Sequence, residues 1–117
     1  MPTAFDPKHF FDLAEQLALS SPDEKSLRTA VGRAYYSMFL LAREKLKVPG
    51  KTKTIHLDTQ VALKRRNRGA GDMLTKLHRL RKVADYELIP ADAAHRDWTK
   101  NWQVASTLVR HILPSLY

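Results

Sequence analysis

Apolar residues recur every three or four positions along the second quarter of the chain, which is the spacing of one face of an α-helix. Pro49-Gly50 ends this stripe, and Ser21-Pro22-Asp23-Glu24 before it reads as a capping box with Ser21 as the N-cap. The sequence therefore predicts one long helix between these two signals. Its apolar face consists of Leu27, Ala30, Val31, Ala34, Met38, Leu41, Ala42 and Leu46.

Two shorter helices are predicted on either side of this long one. Asp6 and Pro7 read as an N-cap and a first helical position, and they open a helix that extends to about Leu19. Leu57 and Val61 mark a second short helix, which ends in the basic run at 64–69. We expect that run to be a loop, and residues 48–54 and 65–71 to be the weakly structured segments.

The C-terminal half predicts two more helices. Asp72 can cap a helix whose apolar stripe contains Leu77 and Leu80, and Pro90 separates it from a last helix over about 91–113. Trp98 and Trp102, one turn apart in that helix, read as a core wedge. No segment alternates with the period of a β-strand. The predicted fold is one all-α domain, an antiparallel bundle of four to five helices.

Several kinds of chemistry are excluded or disfavoured by composition. The chain has no cysteine, which excludes disulfides, thiol catalysis and cysteine-ligated zinc. The five histidines lie far apart in sequence and none of the four glycines forms a phosphate-binding loop, so we expect no metal and no cofactor. With no long apolar run and no leader, the expected setting is the cytoplasm, without membrane contact.

Positive charge is concentrated in one segment of the chain. The formal net charge is +8, and between Lys64 and Lys82 eight basic residues stand against Asp72 alone, which gives that segment a net charge of +7. Such concentration indicates a local anionic partner, with RNA or DNA as the favoured class. Arg65, Arg66 and Arg68 are the candidate binding residues. The alternative is a solvated basic face with no ligand.

Two short motifs place arginine and tyrosine beside apolar stripes. The first is Arg33-Ala34-Tyr35-Tyr36-Ser37-Met38-Phe39, and the second is Leu80-Arg81-Lys82-Val83-Ala84-Asp85-Tyr86. At about 100° per residue, Arg33, Tyr36 and Ser37 fall along one edge of the long helix. Tyr35 and Tyr36 therefore face different ways, one towards the core and the other towards a ligand or a second subunit. Ordinary packing of both tyrosines is the alternative.

The second motif, together with His78 two positions before it, also provides titratable groups. His78, Arg81 and Asp85 stand at i, i+3 and i+7, on nearly the same side of their helix. Arg81 is suited to grip a phosphate, Asp85 to orient it, and His78 to titrate near neutral pH. The alternative is a surface Arg-Asp pair next to a solvated histidine.

The pair of motifs resembles the signature helices of the HEPN family (higher eukaryotes and prokaryotes nucleotide-binding), and the resemblance runs through most of the chain. It implies a HEPN-type bundle, usually a symmetric dimer whose second and fourth helices line a shared cleft. The residues carried over as polar cleft residues are Arg33, Tyr36, Arg81, Asp85 and Tyr86. Active members are metal-independent endoribonucleases, often toxins paired with a nucleotidyltransferase-like antitoxin or parts of antiphage systems.

The nucleases of that family carry an arginine followed at a short spacing by histidine, and this chain lacks the motif. Counted from Arg81, those positions hold Tyr86, Glu87 and Leu88. The favoured hypothesis is therefore a homodimeric HEPN domain that binds RNA in a toxin-antitoxin or defence system. A second hypothesis is a ribonuclease in which Arg81 stabilises the phosphate and His78 or Tyr86 assists. A third is a catalytically silent module that docks onto an acidic partner protein.

Overall fold

The computed structural model describes residues 4–50 and 53–117, and these residues form an all-helical bundle, as the sequence predicts. Within them there is no β-strand. Two short 3₁₀ segments, Ala93–His95 and Leu113–Leu116, flank the last helix. The five α-helices are α1 (Lys8–Ser20), α2 (Glu24–Lys45), α3 (Ile55–Arg66), α4 (Arg68–Tyr86) and α5 (Trp98–Ile112).

Helix α2 lies at the centre of the bundle and packs against α1, α4 and α5. Its apolar stripe is buried as predicted, apart from the half-buried Leu46, and Tyr35 and Met38 are fully buried within it. The predicted N-cap is wrong. Ser21 still belongs to the end of α1, where its backbone N–H donates to Leu17. The cap is Asp23, whose side chain accepts from the amide of Ser26 at 2.9 Å.

The first predicted helix is confirmed to within one residue at each end. Asp6 provides an oxygen that accepts from the amide of Lys8 at 3.0 Å, so it satisfies one of the unpaired donors of the first turn. Residues 48–50 and 53–54 lie outside the helices, as predicted, whereas residues 51 and 52 of that predicted connector lie outside the described residues.

Helices α3 and α4 meet at a corner made by one residue, Asn67. The predictions of a loop at 64–69 and of a weakly structured segment at 65–71 are therefore wrong, because lysine and arginine are good helix formers and favourable at a helix C-terminus. The predicted cap Asp72 is wrong as well. Asn67, in an extended conformation, caps α4 by accepting from the amide of Ala70 at 3.0 Å. Gly71 allows close contact here, since a Cβ at this position would lie 2.7 Å from the backbone of Lys64.

The last helix begins later than predicted, at Trp98 instead of 91. Two aspartates explain the difference, because each caps its own segment. Asp92 accepts from the amide of Ala94 at 2.9 Å and opens the 3₁₀ turn, while Asp97 accepts from Lys100 at 3.1 Å and opens α5. Trp98 is buried and Trp102 packs against the core, in agreement with the predicted wedge.

The guanidinium of Arg28 joins three helices at one end of the bundle. From α2 it donates to the carbonyls of Ala84, Glu87 and Leu88, at 3.0, 2.8 and 2.9 Å, and so satisfies unpaired acceptors at the end of α4. It also lies over the ring of Trp98 at the start of α5, 4.4 Å from the centroid. In the described part of the chain, no helix is both long and apolar enough to cross a membrane.

Candidate functional site

Four aromatic rings from α2, α3 and α4 pack against one another where these helices meet. Phe39 lies 4.3 Å from His56, His56 lies 4.8 Å from His78, and His78 lies 4.8 Å from Tyr35, measured between ring centroids. All three pairs are close to parallel, with interplanar angles of 21°, 7° and 19°. Tyr35 also lies 5.6 Å from His56 and 5.7 Å from Phe39, so the four rings close into a compact cluster. We call Phe39, His56, His78 and Tyr35 the aromatic column, after its three stacked pairs.

Hydrogen bonds hold both histidines of the aromatic column in place. The Tyr35 hydroxyl is hydrogen-bonded to Nδ1 of His56. The amide of the buried Gln60 donates to Nδ1 of His78 at 3.0 Å, and its oxygen accepts from the hydroxyl of Thr75 at 3.1 Å. Because each imidazole is held through Nδ1, Nε2 is the nitrogen left without a hydrogen-bond partner among the described residues.

The surroundings of the aromatic column favour its uncharged forms. Burial, with a further contribution from His56, lowers the pKa of His78 to about 4. Burial and the charge of Arg81 lower the pKa of His56, and burial raises the pKa of the Tyr35 phenol. The predicted titration of His78 near neutral pH is therefore wrong, because packing against α2 and α3 removes water from its ring. At neutral pH both imidazoles carry no charge.

Arg81 lies beside the aromatic column and has a partner on each side. Its Nε is 2.8 Å from a carboxylate oxygen of Asp85, the i+4 pair that the sequence predicts. Its Nη2 donates to the hydroxyl of Tyr36 on α2 at 2.8 Å. The side chain is 14% exposed, and its guanidinium carbon lies 5.1 Å and 5.6 Å from the ring centroids of Tyr36 and Tyr86. Its charge is thus paired with Asp85, although the buried Nε makes no hydrogen bond within the described structure.

The structure brings the five residues carried over from the family resemblance into one chain of contacts. The guanidinium of Arg33 lies over the ring of Tyr36, 5.3 Å from its centroid, and Tyr36 in turn contacts Arg81. Asp85 and Tyr86 complete the group. Ser37, predicted on the same edge, is instead fully buried. We call Arg33, Tyr36, Arg81, Asp85 and Tyr86 the arginine-tyrosine cluster.

The other predicted binding residues lie at the corner between α3 and α4. Arg65, Arg66 and Arg68 are all exposed, and none of them has an ion-pair partner in the described part of the chain, whereas Lys64 lies 3.7 Å from Asp72. Thirteen positions of α4 separate Arg68 from Arg81, which at the rise of an α-helix is about 20 Å. The predicted binding residues therefore form two separate groups.

Sequence reasoning missed three side chains that organise this region. His56, Gln60 and Thr75 have no motif of their own, and Gln60 and Thr75 read as ordinary polar positions on their helices. A signal was available for Gln60, since it lies four positions after His56 and so on the same face of α3. Its contact with His78 depends on how α3 folds back on α4, which single-helix periodicity does not predict.

The described residues contain no group of three or more histidine, aspartate or glutamate side chains placed to hold a metal ion. The site therefore consists of a cluster of uncharged rings, an arginine that contacts Asp85 and Tyr36, and a separate exposed basic corner. Comparison with known protein families, curated proteins and solved structures finds no match to this chain.

Proposed function

We propose that this protein is a cytoplasmic HEPN-type domain that binds RNA, or another polyanion, through the basic corner of Arg65, Arg66 and Arg68. One observation carries the proposal: three exposed arginines without ion-pair partners in the described structure stand together at the end of a segment with a net charge of +7. Exposed guanidinium groups bind phosphate without a large desolvation cost. The HEPN resemblance supports RNA as the polyanion and a toxin-antitoxin or antiphage system as the setting.

Salt dependence tests this proposal. Each phosphate contact with single-stranded RNA contributes about 0.7 to the slope of log affinity against log salt, so the triple variant Arg65→Ala, Arg66→Ala, Arg68→Ala should lose a slope of about 2. A control variant with the same loss of charge, Lys25→Ala, Lys45→Ala, Arg110→Ala, should keep the slope of the parent protein. An unchanged slope in the first variant would place the binding surface elsewhere.

The proposal includes a two-fold homodimer. Tyr36 and Leu40 on α2 remain only half buried, and Tyr86 next to Arg81 is exposed, so apolar and aromatic surface remains beyond what the bundle covers. Light scattering at micromolar concentration should give about twice the mass of the 13.4 kDa chain. A monomer at that concentration would rule out a cleft formed between two subunits. A nucleotidyltransferase-like antitoxin is the protein partner that the resemblance suggests.

A metal-independent endoribonuclease is the second candidate function. The observation in its favour is that Arg81 and the two histidines of the aromatic column lie in one region, since Arg81 contributes to the lowered pKa of His56 and His78. Two observations weigh against it. Arg81 is already paired with Asp85, and His78 is uncharged at neutral pH, so it cannot serve there as a general acid. Binding is therefore the function that we place first.

A further inference from the structure

A groove of about 330 Å³ lies between α4 and α5, away from the aromatic column and the basic corner. Its apolar floor includes Leu80 from α4 and Val104 and Leu108 from α5. Val104 is 45% exposed although it belongs to the same apolar helix face as Leu108. Val104 and Leu108 stand one helical turn apart, so the floor presents apolar contacts at helical spacing.

Basic side chains stand on both rims of this groove. Lys76 and Arg79 line it from α4, and Lys100 lines it from α5. All three are exposed, and none has an ion-pair or hydrogen-bond partner for its side chain among the described residues. No acidic residue lines the groove. An occupant that forms ion pairs with the basic residues on both rims must therefore carry negative charge on both sides of an apolar stripe.

We infer that the α4–α5 groove is a docking site for an acidic amphipathic helix of a protein partner. A helix with apolar residues at i, i+4 and i+7 places them on the floor, and acidic residues on either side then meet Lys76 and Arg79 on one rim and Lys100 on the other. Burial of the floor contributes affinity, and the charges select the acidic partner and its orientation. This inference does not depend on RNA binding at the basic corner.

The chemistry of the floor distinguishes this groove from a nucleic-acid site. Leu80, Val104 and Leu108 are aliphatic. Among the described residues, the one ring in the lining is that of His95, so the groove lacks the row of rings on which successive bases stack. RNA lying across Arg79 and Lys100 would leave the aliphatic floor unburied. The groove at the basic corner, by contrast, is lined by Lys64, Arg65, Arg68 and Asp72 with Val61 as its one apolar residue, which suits phosphate better than an apolar helix face.

Synthetic peptides of about 18 residues test the inference, since helix-in-groove recognition requires only a short segment. The probe carries leucines at i, i+4 and i+7 with glutamates on either side. A scrambled peptide of the same composition and a version with lysine for glutamate serve as controls. Fluorescence anisotropy at physiological salt measures affinity, and amide chemical shifts of the protein locate the bound peptide.

We expect the acidic amphipathic peptide to bind and to shift amides around Leu80, Val104 and Leu108. Val104→Asp, and separately the double variant Arg79→Glu, Lys100→Glu, should each weaken it by at least about tenfold. The double variant should instead gain affinity for the lysine peptide. Lys25→Glu, Lys45→Glu removes the same charge elsewhere and should change affinity by less than about twofold, since exposed charges far from an interface contribute little.

Three results would overturn the inference. The first is that the acidic peptide does not bind. The second is that the scrambled peptide binds equally well, because a site that recognises only negative charge does not require an apolar stripe. The third is a loss of RNA affinity in Val104→Asp, which would assign the groove to nucleic acid. These side chains are exposed or half-exposed, so the variants are expected to keep the parent melting temperature, which the same samples report.

Discussion

The imidazole of His56 lies parallel to that of His78, with 4.8 Å between ring centroids and 7° between planes. Two imidazolium cations at this separation would repel each other inside a partly buried site that also contains Arg81. The stack is therefore stable only while at least one of the two rings is uncharged. The hydrogen bonds that Tyr35 and Gln60 make with Nδ1 of the two histidines fit the uncharged rings. The stability of the bundle is thereby coupled to pH.

We predict that the free energy of unfolding falls as the pH drops from about 6.5 towards 4. Both histidines have pKa values below the ordinary 6.5 in the folded chain, that of His78 about 4, so the unfolded chain takes up protons first and is favoured by acid. Urea unfolding at pH 7.5 and pH 5 measures the difference. In His78→Gln the dependence on pH should be smaller, and His9→Gln, which removes an exposed imidazole outside the aromatic column, is the control variant. Equal stability at both pH values would contradict the prediction.

Loss of Arg28 should destabilise the fold more than loss of any exposed arginine. Arg28→Ala removes charge-assisted hydrogen bonds to three carbonyls at the end of α4 and the contact with Trp98, so we expect a loss of about 2 to 3 kcal/mol. Arg110→Ala is the matched control. It removes only an exposed ion pair with Glu15 and should cost about 0.5 kcal/mol or less. Denaturant unfolding with equal losses in both variants would show that Arg28 is not a structural anchor.

Two glycines of α4, only two positions apart, should respond oppositely to alanine. In Gly71→Ala the new methyl group would lie 2.7 Å from backbone atoms of Lys64, so α3 must move away from α4 and we expect a loss of stability. Gly69→Ala meets nothing closer than 3.5 Å, and alanine is the better helix former by about 1 kcal/mol, so this change should be neutral or stabilising. Melting temperatures of the two variants test the prediction, which fails if Gly71→Ala is as stable as the parent protein.

We predict weak or no cleavage of RNA by the purified protein in EDTA. His78 is uncharged at neutral pH and so lacks the imidazolium proton that a general acid donates, and Arg81 is held by Asp85 and Tyr36. If cleavage does occur, both His78→Ala and Arg81→Ala should abolish it. Strong cleavage that survives the loss of His78 would contradict this account and point to Tyr86. Cleavage that requires a metal would argue against the HEPN resemblance as a guide to mechanism.

The helices were predictable because each contains a local apolar stripe, but their ends were less so. Ser21, Asp72 and the residues after Pro90 offered plausible caps or starts, and the structure uses Asp23, Asn67 and Asp97 instead. Which residue caps a helix depends on where the neighbouring helix ends, and the local sequence pattern does not contain that information. Asn67 lies inside the predicted basic loop, and the structure makes it the cap of α4.

The candidate site was predictable where its contacts lie within one helix. Arg81 and Asp85 are four positions apart and form the expected pair. The column of His56 and His78 joins residues on two different helices, and its hydrogen bonds depend on the buried Gln60. Such contacts follow from the packing of α3 on α4, so no spacing along the chain predicts them. The lowered pKa of His78 follows from the same packing.

The one-residue corner at Asn67 has a consequence for what can bind there. In a flexible loop, the backbone of Arg65, Arg66 and Arg68 could move to follow the phosphates of any strand. Here Arg65 and Arg66 belong to the end of α3 and Arg68 to the start of α4, so the distances between their Cα atoms are set by the two helices. The starting points of the three side chains are therefore fixed, and only the side chains themselves can adjust to a ligand. If the corner binds RNA as proposed, we expect it to favour backbones whose phosphate spacing matches it, whatever their base sequence.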